Sequence, residues 1–214
     1  MVESNSSKNT LFGLELGFNI DDLYNNIFEL RRKISKRNII IEFKKNLINY
    51  AEAKLDENEV SFHKFNQVEL PESSVDRGTP TSSDEMSLLI KDIIKEDQIC
   101  SHRASVIIPP EASLSKRILI PKNLNIVEAN EYVLDQNSDF QFPIPLKQTD
   151  FELIKLNDIN FIENNDFDSY FISSVPKKLT DNIIDTLEKA NLELIRLELS
   201  FMSLIRLANY KINK

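Results

Sequence analysis

The spacing of apolar residues along the chain changes period several times, and each change marks an element. Ile20, Leu23, Tyr24, Ile27, Phe28, Leu30 and Ile34 fall mostly on one helical face, which predicts an amphipathic helix ahead of a break at residue 37. Asn19 is placed to cap it, with Asp21 and Asp22 in its first turn. Arg31, Arg32, Lys33, Lys36 and Arg37 crowd the other end, an order that complements the helix dipole. The same basic end reads either as dipole matching alone or as a contact for an acidic membrane surface. Three strand-like runs then follow near 39–43, 47–55 and 59–65, separated by KKN and DEN, the pattern of a β-meander.

Beyond a loop, LPESSVDRGTPTSSD, Ser82 and Glu85 form a capping-box pair in front of Met86, Leu89, Ile90, Ile93 and Ile94 at helical spacing. SVIIPP is a short buried strand stopped by prolines, and SKRILIP is a second strand. Asn125 with Glu128 opens a helix over 126–137, and FELIKL and DSYFISSV read as strands. Thr180 is expected to cap a helix carrying Ile183, Ile184, Leu187 and Ala190, with Asn191 at its end. LELIRLEL and FMSLIRLANY close the chain as strand and helix. The order α-βββ-αβ-βα-ββα-βα is that of an α/β chain without internal repeats.

Composition narrows the class. The 214 residues are 41% hydrophobic and 28% charged, enough apolar content for a buried core. A formal net charge of −8 argues against a general nucleic-acid binder, which carries a basic footprint. One cysteine, Cys100, cannot form an internal bridge and fits a reducing compartment. No apolar run is long enough to span a bilayer, and the opening MVESNSSKNT lacks a signal-peptide pattern. The expectation is a soluble, acidic, intracellular protein.

Candidate chemistry is sparse. His63 and His102 are the only histidines, and the Cys100–His102 pair falls short of the three or four ligands of a zinc site. It reads as a surface loop, with no metal bound. No GxSxG, HExxH or P-loop pattern occurs, and three glycines, Gly13, Gly17 and Gly78, leave little material for phosphate loops. Phe12, Phe18 and Phe28 read as core residues.

Several segments together carry a resemblance. ELPESSVDRGTP, then a helix, then ASVIIPPEASLSKRILIP resembles the type IV pilus assembly protein PilM family. FPIPL at 142–146 is similar to that family's aromatic- and proline-rich loop, and VPKKLTDNIIDTLEKANLELIRLELS and the Ser-Leu-Ile-Arg run at 203–206 continue the match. Residues 39–53, with Ile48, Asn49 and Ala51, resemble the first hairpin of cyanobacterial relatives, so the resemblance spans about 38 to 210.

The resemblance implies an α/β, partial actin-like (ribonuclease H-like) lobe, related to the cell-division protein FtsA, with an inserted small α/β subdomain. It implies a polar tail plus amphipathic helix at 1–37, a first subdomain at 38–108, the insert at 109–190 and a return strand and helix at 191–214. The second lobe of the family has no counterpart in the sequence. In actin-like ATPases the first hairpin carries Asp-x-Gly-Ser/Thr-x, which holds Mg²⁺ and admits phosphates. Glu42 stands here at the Asp position, Lys44 at the Gly position, and Lys45 and Asn46 where hydroxyls belong. A side chain at 44 obstructs the backbone approach that glycine permits, so no ATP or magnesium is expected. FGLELGFN at 12–19, with Glu15, Gly17 and Asn19, imitates the same motif but leads into a helix rather than a second strand.

By resemblance, the chain is a non-catalytic scaffold on the cytoplasmic side of the inner membrane. It would bind the N-terminal peptide of a PilN-like membrane protein in a groove between two subdomains and link it to pilus motor ATPases, in support of pilus biogenesis, twitching motility and DNA uptake. Arg117, Ile118 and Ile120 are candidate peptide contacts, against the plainer reading of a half-buried strand. Two other readings stay open: a nucleotide-binding actin-like ATPase whose second lobe is absent from this chain, and a decayed relative without a partner.

Overall fold

The structure, a computed structural model, describes residues 10–11, 14–15, 20–56, 59–135, 140–156 and 166–212. Two short strands, β1 (Thr10–Leu11) and β2 (Leu14–Glu15), pair antiparallel ahead of helix α1 (Ile20–Ile34). The expected Asn19 cap, Gly13 and Gly17, and Phe12 and Phe18 lie outside the described residues. β3 (Arg37–Lys44), β4 (Leu47–Asp56) and β5 (Glu59–Glu69) form an antiparallel meander. A small hairpin, β6 (Val75–Asp76) and β7 (Thr79–Pro80), leads to α2 (Ser83–Glu96) and β8 (Arg103–Ile108). Then come β9 (Leu114–Pro121), α3 (Ile126–Asp135), β10 (Thr149–Lys155) and β11 (Phe167–Pro176). The described chain closes with α4 (Lys177–Lys189), β12 (Glu193–Leu199) and α5 (Ser200–Ile212).

The larger sheet has the order β12-β8-β3-β4-β5, with β3, β8 and β12 parallel and β3, β4 and β5 antiparallel. Alternation along β3 explains its place. Ile39, Ile41 and Phe43 are buried, while Asn38, Ile40 and Glu42 point to the opposite, half-exposed face. Ile48 and Tyr50 of β4 sit opposite Phe43 and Ile41 on the buried face. Met86, Ile90, Ile93 and Ile94 of α2 and Leu179, Ile183 and Leu187 of α4 complete that core. The Ser82 cap is present: its Oγ accepts from the Glu85 amide at 3.3 Å.

A second core belongs to the three-stranded antiparallel sheet β10-β11-β9 and α3. Ile118, Ile120, Ala129, Val133, Leu146, Tyr170 and Ile172 fill it. Asn125 and Glu128 cap α3 reciprocally. Asn125 Oδ1 accepts from the Val127 and Glu128 amides at 2.9 and 3.1 Å, and Glu128 Oε2 accepts from the Asn125 amide at 2.8 Å.

Some expectations shift. By sequence α4 belongs to the insert, with Thr180 as its cap. The helix instead starts at Lys177 behind Pro176, whose fixed φ of −59° sets the chain up for helix four residues earlier. Thr180 lies inside the first turn, where its hydroxyl donates to the Asp150 carboxylate of β10. The apolar face of α4 packs into the larger core, so the insert's own core closes without it. Cys100 is buried rather than on a surface loop, and no metal-ligand cluster occurs among the described residues. No described helix is long and apolar enough to cross a membrane.

Helix α1 docks by its polar side. Arg32 is only 2% exposed; its Nε donates to Ser101 O at 3.1 Å and its Nη2 to Asn191 O at 3.3 Å, and Glu29 pairs with it at 2.9 Å. Phe28 packs beside them against the larger core. Ile27, Leu30 and Ile34 face outward.

Candidate functional site

Between the two cores lies a cleft of about 600 Å³. One wall is the β6–β7 hairpin, built around Arg77 (φ 43°) and Gly78 (φ 77°), both left-handed as a two-residue hairpin turn of the primed type requires. Gly78 is needed twice over, because a Cβ there would meet the Pro109 ring at 2.6 Å. Thr81 fastens the hairpin base, donating from Oγ1 to Ser73 O at 2.8 Å. The segment after Pro109 passes beneath and brings Glu111, Ala112 and Leu114 to the cleft. Pro143 and Ile144 close the far side, and Leu179 and Asn182 of α4 form the floor.

The lining mixes apolar patches (Pro80, Ala112, Leu114, Ile144) with charges of both signs at the rim (Asp76, Arg77, Glu111, Lys178). Such a surface suits an extended chain with a few apolar side chains better than a highly charged small molecule. β9 is an edge strand of the small sheet, and Leu114 at its start sits in the cleft wall beside Thr149 of β10 and Ser174 of β11. The Thr180–Asp150 bond ties floor to wall.

The three residues singled out for peptide contact are elsewhere. Ile118 and Ile120 are buried beneath α3 in the small core and cannot meet a partner. Arg117 lies on the opposite face, exposed, donating from Nε to Ser169 Oγ at 2.5 Å. Alternation along β9 explains the error, since the most apolar positions of a two-faced strand are those already covered by its own helix. The sequence did hold a better signal. Four of the segments that carried the resemblance supply cleft residues, among them Arg77 and Pro80, Glu111 and Leu114, Pro143 and Ile144, and Lys178 and Leu179.

The β3–β4 turn is a tight one. Lys44 pairs with Leu47, leaving Lys45 and Asn46 at the tip, both exposed and neither left-handed in φ. The Asn46 carbonyl accepts from the Leu70 amide at 2.8 Å. Asn49 Nδ2 donates to Glu42 Oε2 at 2.8 Å, and Lys44 Nζ lies 3.2 Å from the same oxygen. The Glu42 carboxylate is therefore taken up locally.

No protein-family model matches the sequence, and no curated protein is detectably similar to it. Solved structures do match. A chain of the PilM–PilN type IV pilus biogenesis complex superposes over 76% of this chain with a TM-score of 0.63 at 14% identity. The cytoplasmic domain of EpsL from the Vibrio cholerae type II secretion system covers 76% with a TM-score of 0.49 at 8% identity. A Bacteroides thetaiotaomicron protein with an actin-like ATPase fold and unknown function covers 86% with a TM-score of 0.42 at 11% identity. This chain spans 47%, 57% and 58% of the length of those three. With its 5-4-3-8-12 strand order, two parallel pairings beside an antiparallel meander, and a small α/β module between β8 and α4, the chain is a mixed α/β protein that shares the fold of that PilM–PilN chain over about half of the latter's length.

Proposed function

We propose that the chain is a non-catalytic scaffold that holds a short extended segment of a membrane-anchored partner in the cleft between its two cores. The carrying observation is that cleft, about 600 Å³, bordered by an edge strand and lined by apolar side chains with charges at the rim. The fold shared with a chain of the PilM–PilN complex supports a PilN-like segment as the occupant, and with it a place at the cytoplasmic face of an inner membrane in a type IV pilus system. In this mode backbone hydrogen bonds set the register of the segment and pockets select its apolar side chains.

Nucleotide chemistry fits the residues poorly. The β3–β4 turn has no glycine to admit phosphate oxygens, and the Glu42 carboxylate is engaged by Asn49 and Lys44 rather than free for Mg²⁺. The reading therefore assigns Glu42, Lys44, Lys45 and Asn46 to a structural hairpin.

The test is fluorescence anisotropy with a labelled peptide, the N-terminal segment of a PilN-like membrane protein. Ile144→Glu and Lys178→Glu should each weaken binding by about tenfold or more, while Arg117→Glu leaves it unchanged. A parallel melting experiment with Mg-ATP should give no rise in Tm, since a ligand of the native state must raise it. Absent peptide binding, or a magnesium-dependent rise with ATP, would overturn the proposal.

A further inference from the structure

Helix α1 exposes a face that the rest of the protein leaves uncovered. Its outward residues, Ile27, Leu30 and Ile34, are 58%, 61% and 73% exposed. In sequence the series extends back through Leu23 to Ile20, so isoleucine and leucine alternate at steps of three and four over Ile20–Ile34. That is a heptad register with isoleucine at every a position and leucine at every d. Arg32, at f, faces diametrically away from the seam, and f is where the protein body grips the helix through Ser101 and Asn191. Phe28, at b, packs on the same side.

An amphipathic helix ordinarily turns its apolar stripe to its own core. Here the polar side is anchored by a buried arginine, and Ile27, Leu30 and Ile34 of the apolar stripe are presented to solvent. We infer that α1 is a dimerisation helix, forming a short parallel coiled coil with α1 of a second copy of this chain. β-Branched residues at a with leucine at d favour two parallel strands over higher states. In that arrangement Asn26, at g, falls opposite Arg31, at e, of the other copy, so no like charges meet along the flank. With f on the body side, the two bodies lie on opposite outer sides of the pair. The helix is already docked, so pairing avoids much of the ordering cost that makes an isolated helix of this length marginal.

An anionic membrane is the competing surface, and charge disfavours it. The helix carries three acidic residues (Asp21, Asp22, Glu29) and three basic ones (Arg31, Arg32, Lys33), one of them buried, and the chain as a whole bears −8. Two heptads make a small interface, so self-association belongs at roughly micromolar concentration.

The inference is independent of the cleft and is tested on the whole chain by sedimentation velocity from about 1 to about 200 µM. The wild type should pass from monomer to dimer, and Leu30→Glu should stay monomeric at an unchanged Tm, because Leu30 makes no core contact. Ile27→Asn should weaken the dimer at least tenfold and provides a second, milder variant. For orientation, Leu30→Cys should oxidise to a covalent dimer, which a d–d′ layer allows only in the parallel register, whereas Asn25→Cys at f should not. The buried Cys100 leaves little background. A monomer throughout the range, or a dimer indifferent to Leu30→Glu, overturns the inference. So does a monomer that binds vesicles of phosphatidylglycerol and loses them on Leu30→Glu.

Discussion

Tyr50 and Asp97 show how much one side-chain pair can fix. The Tyr50 hydroxyl donates to Asp97 Oδ2 at 2.5 Å, tying β4 to the residue that ends α2. Burial, helped by that bond, pushes the phenol up to about 12, and the bond holds the Asp97 carboxyl below its usual range. The native state keeps the phenolic proton to higher pH than the unfolded chain does. The phenol's contribution is therefore complete below pH 10.0 and is lost as pH climbs through about 12. Urea midpoints should fall across that window in the wild type and be flatter in Tyr50→Phe, which should cost about 1 kcal/mol at neutral pH. Gly78 is the second such position. Gly78→Ala combines a left-handed φ of 77° with a 2.6 Å clash against Pro109, so a loss of about 1–3 kcal/mol in thermal melts and weaker peptide binding are expected. At this scale the sequence was readable where a residue acts on its near neighbours, as Ser82 and Asn125 do in capping their helices. It misled at Ile118 and Ile120, because nothing in a strand's alternation tells which face its own helix covers.

Among the elements, α1 depends most on a single contact. Arg32→Met would leave the Ser101 and Asn191 carbonyls and Glu29 without their donor, and the helix should undock while the larger core persists. Hydrogen exchange should then quicken over residues 25–34 with β3 and β4 protected as before, at a cost of about 1–3 kcal/mol. The apolar period of α1 was plain in the sequence, but not that a buried guanidinium would turn the stripe outward, since that depends on carbonyls about 70 and 160 residues away. The meander β3–β4–β5 was legible for the opposite reason. Its signals are local turns and alternation, and only its far end, through Glu69, ran past the expected stop. β5 owes that length to continuous pairing with β4, interrupted by one register shift beside Glu52, and it leaves Phe62 and Phe65 exposed on the sheet edge.

For the whole molecule, two cores imply two unfolding units joined by α4. Ile172→Ala, at the centre of the small core, should cost about 2–5 kcal/mol of that module's stability. Exchange should quicken across β9, β10 and β11 far more than across β3 and β8. The α/β order could be read from the sequence, yet the cleft could not, because its walls come from four separated segments and its charges lie at their tips. α4 was assigned by sequence to the small module, whereas Leu179 both floors the cleft and packs in the larger core. A tether seated there would haul on a beam bolted into the main sheet. Its pull would be carried through Leu179 into the larger core and not borne by the small module alone.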